Sequence, residues 1–272
     1  MSGELKTNLK AIWGRAYVRV VGANREPTWI LSETLLPVLS VAAYVYVYRA
    51  LNPDPLYTSM VILGGAMTAY WMNILWSMAM QLYWEKEMGN LDLYMVAPIS
   101  RMSILLGMAS GGLFFATLRA LIVFAAGILL FQAEFVMVSF WKLFLIFFLS
   151  MFALYGLGML FSSLFLLFGR GAWQTSNLFQ EPIYLLGGFY YPVKSLGAAV
   201  AAIGSFLPIT LGLDGIRQLT LKTGDTLGFL SVNVEIAILA VMSVVFLFGA
   251  YYSLIFMEKM GKKEGRLSLR WQ

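Results

Sequence analysis

The sequence predicts an all-α, polytopic membrane protein with six transmembrane helices. Apolar residues make up 60% of the 272 residues and charged residues only 12%, about half the charged fraction of a soluble domain. A water-soluble fold of this length could not bury so many large apolar side chains, so the bilayer is the expected solvent. The apolar residues also fall into long runs, which short charged or Gly- and Pro-containing segments separate.

The residues that the chain lacks exclude several classes of function. It has no His and no Cys, which excludes disulfides, thiol nucleophiles, His–metal sites and Ser–His mechanisms. The Gly261-Lys262 pair lacks the upstream Gly of a phosphate-binding loop. The net charge of +5 is small and concentrated at the two ends, so nucleic acid is not an expected partner.

The first element predicted is an amphipathic helix at residues 4–24. Its apolar residues recur at helical spacing, with Lys6 and Lys10 along one margin of the apolar stripe and Arg15 and Arg19 along the other. A basic margin beside an apolar face is typical of a helix in the headgroup plane of a membrane. The alternative is a helix that packs on a partner protein.

Six apolar runs are long enough to be membrane spans, and the whole chain, residues 1–272, is predicted to form one transmembrane domain. Residues 191–224, between spans five and six, are less apolar and are interrupted by Pro and Gly, so they predict two re-entrant half-helices. The predicted spans are about 29–48, 56–84, 102–131, 138–168, 173–190 and 227–257.

The distribution of basic residues predicts the orientation. If both ends face the cytoplasm, 13 of the 19 Lys and Arg residues lie on the inner side and five on the outer side. Cytoplasmic loops carry an excess of Lys and Arg, so we expect both termini to lie in the cytoplasm and the protein to lie in the cell membrane.

A charged segment at residues 85–101 follows the second predicted span. Gly89 permits a tight turn, Asn90 is suited to cap a short helix with Asp92 in its first turn, and Pro98 ends that helix. The segment therefore predicts a short amphipathic helix presented to the cytoplasm. The side chains suited to a partner's socket are Leu91, Leu93 and Tyr94.

This segment resembles the one between spans two and three of type-2 ABC exporter permeases, such as the daunorubicin/multidrug and polysaccharide export permeases. Lys86 and Asn90 stand where that family more often has Arg and Thr. Three stretches, 187–193, 207–210 and 213–217, resemble the outer-face segment of the same family. The matching residues of the charged segment are Glu85, Glu87, Gly89, Leu91, Asp92, Pro98, Ser100 and Arg101.

The resemblance implies a division of labour between subunits. Two permease subunits, expected to be identical, would form the pathway, and two separate ATPase subunits would bind ATP and Mg beneath them. This chain would then be no enzyme and would hold no cofactor or metal of its own. The residues expected to couple to the ATPase are Glu85, Glu87, Gly89, Leu91, Asp92, Leu93, Pro98 and Arg101.

The resemblance also assigns roles to the two ends of the membrane domain. The helix at 4–24 would touch the ATPase as well as the membrane, and segment 191–224 would close the outer exit. The residues expected at the outer gate are Phe189, Tyr190, Tyr191 and Pro192.

Three ionisable residues, Glu33, Arg119 and Glu181, fall inside predicted spans, where charge is costly. They either line a hydrophilic pathway or form an ion pair that holds helices together. Glu33 lies near the inner end of its span and can reach the interface, and Pro182 after Glu181 frees backbone carbonyls. We hypothesise that Arg119 pairs with Glu181 or with Glu33.

Two functions remain open at this point. The first is the permease of an ABC exporter that moves a hydrophobic or amphiphilic substrate, which would be a drug, a lipid or a lipid-linked glycan. The alternative is an ion-coupled secondary transporter, which six spans and an intramembrane Glu would also suit. Such carriers usually show an internal repeat, and no repeat stands out in this sequence.

Overall fold

A computed structural model describes residues 2–23, 27–51, 54–168 and 171–263. Over these ranges the chain is helical and has no strand, which confirms the all-α prediction. A π-helical stretch, Asn73–Met78, follows α3, and a 3₁₀ turn, Val193–Leu196, follows α8. The α-helices are α1 (Ser2–Ala23), α2 (Pro27–Leu51), α3 (Pro55–Met72), α4 (Gln81–Glu87), α5 (Asn90–Val96), α6 (Arg101–Phe131), α7 (Phe140–Phe168), α8 (Gly171–Leu186), α9 (Ala198–Gly204), α10 (Pro208–Thr220), α11 (Gly224–Leu227) and α12 (Val232–Lys263).

The described helices provide four spans by length and composition: Leu31–Leu51, Arg101–Phe131, Phe140–Phe165 and Val232–Met260. The number becomes five if the bent pair α9–α10 counts as one span. The second predicted span is interrupted by the π-helical stretch, which separates α3 from α4. The fifth corresponds to α8, whose 16 residues are fewer than the roughly 20 that cross a bilayer perpendicularly.

Segment 191–224 contains two short helices that meet at a sharp angle. The axes of α9 and α10 differ by 111° across a break of three residues. Pro208 occupies the first turn of α10, where its missing N–H removes no helical hydrogen bond. Such a bent pair is either a broken span or a re-entrant loop.

Helix α3 is the central helix of the bundle. Every residue from Thr58 to Trp71 is buried, so the helix is buried on all sides rather than along one stripe. It packs between α2, α6 and α10, while α12 packs most extensively on α7. The core therefore surrounds the helix that leads towards the charged segment.

Helix α1 packs along the first turns of α6. A Cβ atom on Gly107 would lie 2.7 Å from the Ile12 carbonyl oxygen, and one on Gly111 would lie 3.2 Å from that of Ala16. Small residues four positions apart let two helix backbones approach this closely. At the start of α6, the Asn8 Oδ1 atom accepts a hydrogen bond of 2.8 Å from the Ser100 N–H.

The apolar stripe of α1 is partly exposed, and its two basic margins lie in different environments. Lys6 and Lys10 are exposed, but Arg15 and Arg19 are half-buried and turn towards the protein interior. They turn inward because polar partners on α4, the buried Glu85 and the partly buried Gln81, accept their hydrogen bonds. The exposed apolar side chains are Leu5, Leu9, Trp13, Tyr17 and Val18.

Part of the predicted topology falls outside the described residues. Arg25, Arg170 and the basic tail at 264–272 contribute to the excess of inner positive charge, and none of them is described. The orientation of the termini therefore stays a prediction.

Candidate functional site

Arg119 on α6 forms an ion pair with Glu33 on α2. The side chains are 13% and 30% exposed, so the pair lies mostly inside the bundle. Arg119 Nε also donates to the Phe115 carbonyl oxygen at 3.4 Å. Of the two carboxylates considered from the sequence, the structure selects Glu33. Glu181 is exposed on α8, where its Oε1 atom accepts a long hydrogen bond of 3.5 Å from Gln180.

Two cavities flank this ion pair. The larger, of about 590 Å³, lies between α1, α2, α4 and α6. The smaller, of about 300 Å³, extends from the pair to Tyr184 and Tyr190. We call them the inner cavity and the outer cavity. The residues that line both are Glu33, Asn73, Trp76, Ser77 and Arg119.

The π-helical stretch supplies three of those shared residues. Its wider turn is visible in the bond of 2.8 Å from the Ala79 N–H to the Ile74 carbonyl oxygen, five residues earlier. Asn73 Oδ1 accepts a hydrogen bond of 3.1 Å from the Tyr155 hydroxyl, and Trp76 Nε1 donates to Gln180 on α8 at 3.1 Å. π-Helical turns within α-helices often occur at functional sites. This one lies where the two cavities meet.

Glu85 is the most highly connected residue of the charged segment. Its side chain is buried, and its carboxylate accepts hydrogen bonds from Gln81 at 2.9 Å, Asn90 at 3.0 Å and Tyr94 at 3.1 Å. It also forms an ion pair with Arg15 of α1. One carboxylate therefore joins α1, α4 and α5, and it lines the inner cavity as well.

The start of α5 differs from the sequence prediction. The residue before its first turn is Gly89, in the left-handed conformation with φ 77°, and no side chain caps the helix. Asn90 was expected to cap it, but its side chain turns back to Glu85. The turn at Gly89 brings Asn90 close enough for that contact, and few residues other than glycine adopt its φ.

The remaining predicted coupling residues divide between buried and exposed positions. Leu91 is buried in the core, whereas Leu93 is 68% exposed and Glu87 is exposed. Pro98 lies in the exposed bend after α5. Arg101 forms an ion pair of 2.9 Å with Glu258 near the end of α12, and the side chain of Asp92 lies outside the described residues.

Both arginines of α1 line the inner cavity. Arg19 Nη1 donates to the Gln81 Oε1 atom at 2.7 Å. Burial lowers the pKa of Arg19 to about 10, and burial lowers the pKa of Arg15 as well. Both side chains remain cations at neutral pH. Their spacing of one helical turn was visible in the sequence, but it also suited a headgroup-facing margin.

The residues predicted for the outer gate occupy different environments. Phe189 is fully buried, with its ring centroid 5.3 Å from that of Tyr184. Tyr190 lines the outer cavity and stacks on Tyr44 of α2 at 4.0 Å. Tyr191 donates a hydrogen bond to the Leu185 carbonyl oxygen. The last of them, Pro192, precedes the 3₁₀ turn.

Arg217 on α10 holds residues 187–193, which we call the outer segment, in place. The sequence did not reveal this role. Its buried guanidinium donates to four backbone carbonyl oxygens, those of Met60, Gly188, Phe189 and Tyr191. These bonds connect α10 to the outer segment and to α3. No local pattern indicated this role, because the acceptors are backbone atoms.

The fold and the site define a class of protein: a helical membrane protein with charged cavities inside the bundle and a short, partly exposed helix beside them. The profile of the ABC-2 type transporter family matches residues 7–221. The chain belongs to this family. The resemblance inferred from residues 85–101 and the outer segment is therefore confirmed. The family is that of the transmembrane subunit, which works with an ABC ATPase and is not itself the ATPase.

Two curated relatives support the same assignment at modest identity. They are the probable multidrug ABC transporter permease YbhR of Escherichia coli K12 and that of Escherichia coli O157:H7. Each is 33% identical over 140 residues, which is 51% of this chain and 37% of the relative. The similarity thus spans little more than a third of the relatives' length. Family membership favours the exporter over the ion-coupled carrier.

Proposed function

We propose that this chain is the permease subunit of an ATP-driven exporter in the cell membrane, and that it moves a hydrophobic or amphiphilic substrate outward. Two ATPase subunits, which bind ATP and Mg, and a second identical permease complete the transporter. Both termini lie in the cytoplasm, and the six spans include the interrupted α3–α4 helix and α8. The drug, lipid or lipid-linked glycan nature of the substrate follows from the family resemblance and from the apolar walls of the spans.

The buried Glu85 carboxylate is the observation that carries the proposal. It connects α5, whose Leu93 and Val96 side chains are 68% and 87% exposed, to α1 and α4. Hydrogen bonds to a charged carboxylate are about twice as strong as neutral ones. A displacement of α5 by the ATPase is therefore transmitted to the wall of the inner cavity, where Glu85 and Asn90 lie.

Transport then requires that the inner and outer cavities become continuous. The Glu33–Arg119 pair and the π-helical stretch lie at the boundary between them. Separation of the pair opens the boundary, and its restoration closes it. At the far end, the outer gate opens when Tyr190 leaves Tyr44, while Arg217 keeps the rest of the outer segment attached to α10 and α3.

The test is reconstitution of the permease with its ATPase in vesicles, with ATP-dependent accumulation of a fluorescent amphiphile as the readout. We expect accumulation with ATP and none without it. Accumulation driven by an ion gradient in the absence of ATP and ATPase would instead establish a secondary transporter and overturn the proposal.

The coupling assignment has a matched pair of variants. Leu93→Asp changes an exposed side chain of α5 and is expected to abolish co-purification with the ATPase, while the fold persists. Phe206→Asp changes a side chain between α9 and α10 that is 75% exposed, and this variant should leave co-purification intact. Unimpaired co-purification of Leu93→Asp would remove α5 from the ATPase interface.

A further inference from the structure

The inner cavity carries more positive than negative charge. Three guanidinium groups line it, those of Arg15, Arg19 and Arg119, together with the two carboxylates of Glu33 and Glu85. Arg15 pairs with Glu85, and Arg119 pairs with Glu33. Among the residues that the structure describes, no carboxylate forms an ion pair with Arg19.

Arg19 is held in a fixed position despite this imbalance. Its Cβ and Cδ atoms lie 3.0 Å from where a side chain on Gly111 would begin, so its stem is packed tightly against α6. Its one described hydrogen bond goes to the neutral amide of Gln81. The Glu33 carboxylate, which also acts electrostatically on Arg19, is paired with Arg119. A partly buried cation that must share its counter-charge is costly, and an anion in the cavity would offset that cost.

A second cation, Arg15, lines the same cavity. The Nε atom of Arg15 is buried and has no hydrogen-bond partner among the described residues, although its Nη2 atom binds Glu85. Arg15 and Arg19 are one helical turn apart on α1. Two guanidinium groups at that spacing suit a phosphate or carboxylate group, which accepts several N–H bonds at once.

Part of the remaining cavity lining is apolar and reaches the surface. Leu118 and Ile122 of α6 and Trp84 of α4 each line the cavity and are about 40% exposed. Val18 of α1 also lines it and is 58% exposed. A ligand that fills this space therefore meets both cations and hydrocarbon.

We propose that the inner cavity binds an amphiphile with an anionic phosphate or carboxylate headgroup, and that Arg19 sets the preference for negative charge. The headgroup lies between Arg15 and Arg19, and the tail runs along Leu118 and Ile122 towards the lipid-exposed surface. The inference that this amphiphile is exported rests on the proposed function, whereas the inference that the cavity binds it does not. The same chemistry belongs to an anionic bilayer lipid and to an anionic cargo.

The binding test uses the whole permease in nanodiscs of zwitterionic lipid, with dodecyl phosphate and dodecyltrimethylammonium as probes. We expect dodecyl phosphate to bind at least about tenfold more tightly than the cation. Inorganic phosphate should bind much more weakly than dodecyl phosphate, because it lacks the tail. Equal affinities for the two amphiphiles, or for inorganic and dodecyl phosphate, would overturn the proposal.

Three variants assign the preference to Arg19. Arg19→Gln should weaken dodecyl phosphate binding about tenfold, and Arg19→Lys, which keeps the charge, should retain most of it. Lys10→Gln removes an exposed cation of the same helix outside the cavity and should change nothing. If Arg19→Lys and Arg19→Gln lose the same affinity while both stay folded, Arg19 has a structural role only.

Vesicles that also contain the ATPase distinguish an anionic cargo from an anionic bilayer lipid as the natural ligand. ATP-dependent export of dodecyl phosphate identifies the site as one for cargo, whereas binding without export identifies it as a lipid site. Failure of all ATP-driven export with intact binding would contradict the proposed function alone. Loss of charge preference with intact export would contradict this inference alone.

Discussion

Glu33 on α2 and Arg119 on α6 form an ion pair between positions 86 residues apart in the sequence, and the pair separates the inner cavity from the outer cavity. Neither side chain is fully buried, and each lines both cavities. The pair therefore joins two helices and forms a boundary at the same time.

Removal of one charge of this pair should destabilise the protein. Loss of one partner of a fully buried pair costs about 3–5 kcal/mol. The exposure of Glu33 reduces that to about 1–2 kcal/mol for Glu33→Gln, because solvent screens the remaining charge. The measurement is thermal unfolding in detergent, and the swap of both charges, Glu33→Arg with Arg119→Glu, should recover part of the loss.

Glu181 provides the matched control for that experiment. It was the second candidate partner of Arg119 in the sequence, but it is exposed and contacts Gln180 instead. Glu181→Gln should leave the unfolding temperature unchanged. If Glu181→Gln is as destabilising as Glu33→Gln, the pairing is wrong.

Glu85→Gln should loosen the connection between α5 and α1. The amide keeps one acceptor oxygen but places an NH₂ group either against the donors of Arg15 and Gln81 or against those of Asn90 and Tyr94. We expect a loss of about 2 kcal/mol and ATP hydrolysis that continues without transport. Thermal unfolding of the permease alone and the ratio of transport to hydrolysis in vesicles are the measurements.

Glu87→Gln separates the folding role from the coupling role. Glu87 is exposed two residues further on, so its replacement should not change the unfolding temperature. An effect on hydrolysis without an effect on stability would place Glu87 at the ATPase surface. Equal unfolding temperatures for Glu85→Gln and the wild type would contradict the structural role of Glu85.

Arg217→Lys should disorder the outer segment even though it preserves the charge. One ammonium group cannot reproduce the planar fork that reaches the carbonyl groups of Met60, Gly188, Phe189 and Tyr191. Unsatisfied buried carbonyls cost about 1–3 kcal/mol. Hydrogen exchange of residues 188–191 should accelerate in the variant, and unchanged exchange rates would refute the role.

The Glu134–Lys222 pair should give a small pH-dependent contribution to stability. The two groups are exposed and lie 2.6 Å apart. The hydrogen bond from Lys222 lowers the pKa of Glu134 below 4.5, and the same bond raises the pKa of Lys222 above 10.5. The contribution of Glu134 is present above pH 4.5 and is lost as the pH falls through its folded pKa, whereas that of Lys222 is present below pH 10.5 and is lost as the pH rises through its folded pKa.

Unfolding temperatures of the wild type and of Lys222→Met test this window. The difference between them should be largest near neutral pH, shrink below about pH 4 and vanish in about 1 M salt, which screens exposed charges. Lys194→Met is the control, because Lys194 donates to a backbone carbonyl rather than to a carboxylate. A difference that does not depend on pH would exclude the ion pair as its cause.

Several features of the fold could be predicted from local sequence. Long apolar runs predicted membrane helices. The turn at Gly89 was predictable because this glycine lies between the charged residues 85–87 and the apolar residues of α5. The number of spans was less predictable, because α3–α4 is interrupted without a Pro or Gly at the break and α8 is short.

Sequence by itself thus determined the membrane environment, the helical class and the family, because each depends on residues close together in the chain. Only the tertiary structure decided which carboxylate Arg119 binds, where Arg15 and Arg19 point, and what Arg217 holds. The side-chain partners of Arg19, Arg15 and Arg119 lie 62 to 86 residues away in the sequence, and Arg217 contacts Met60 at a separation of 157 residues. Helical periodicity places a side chain on one face of a helix. The element packed against that face then determines whether a charged side chain meets lipid headgroups, a carboxylate or a cavity.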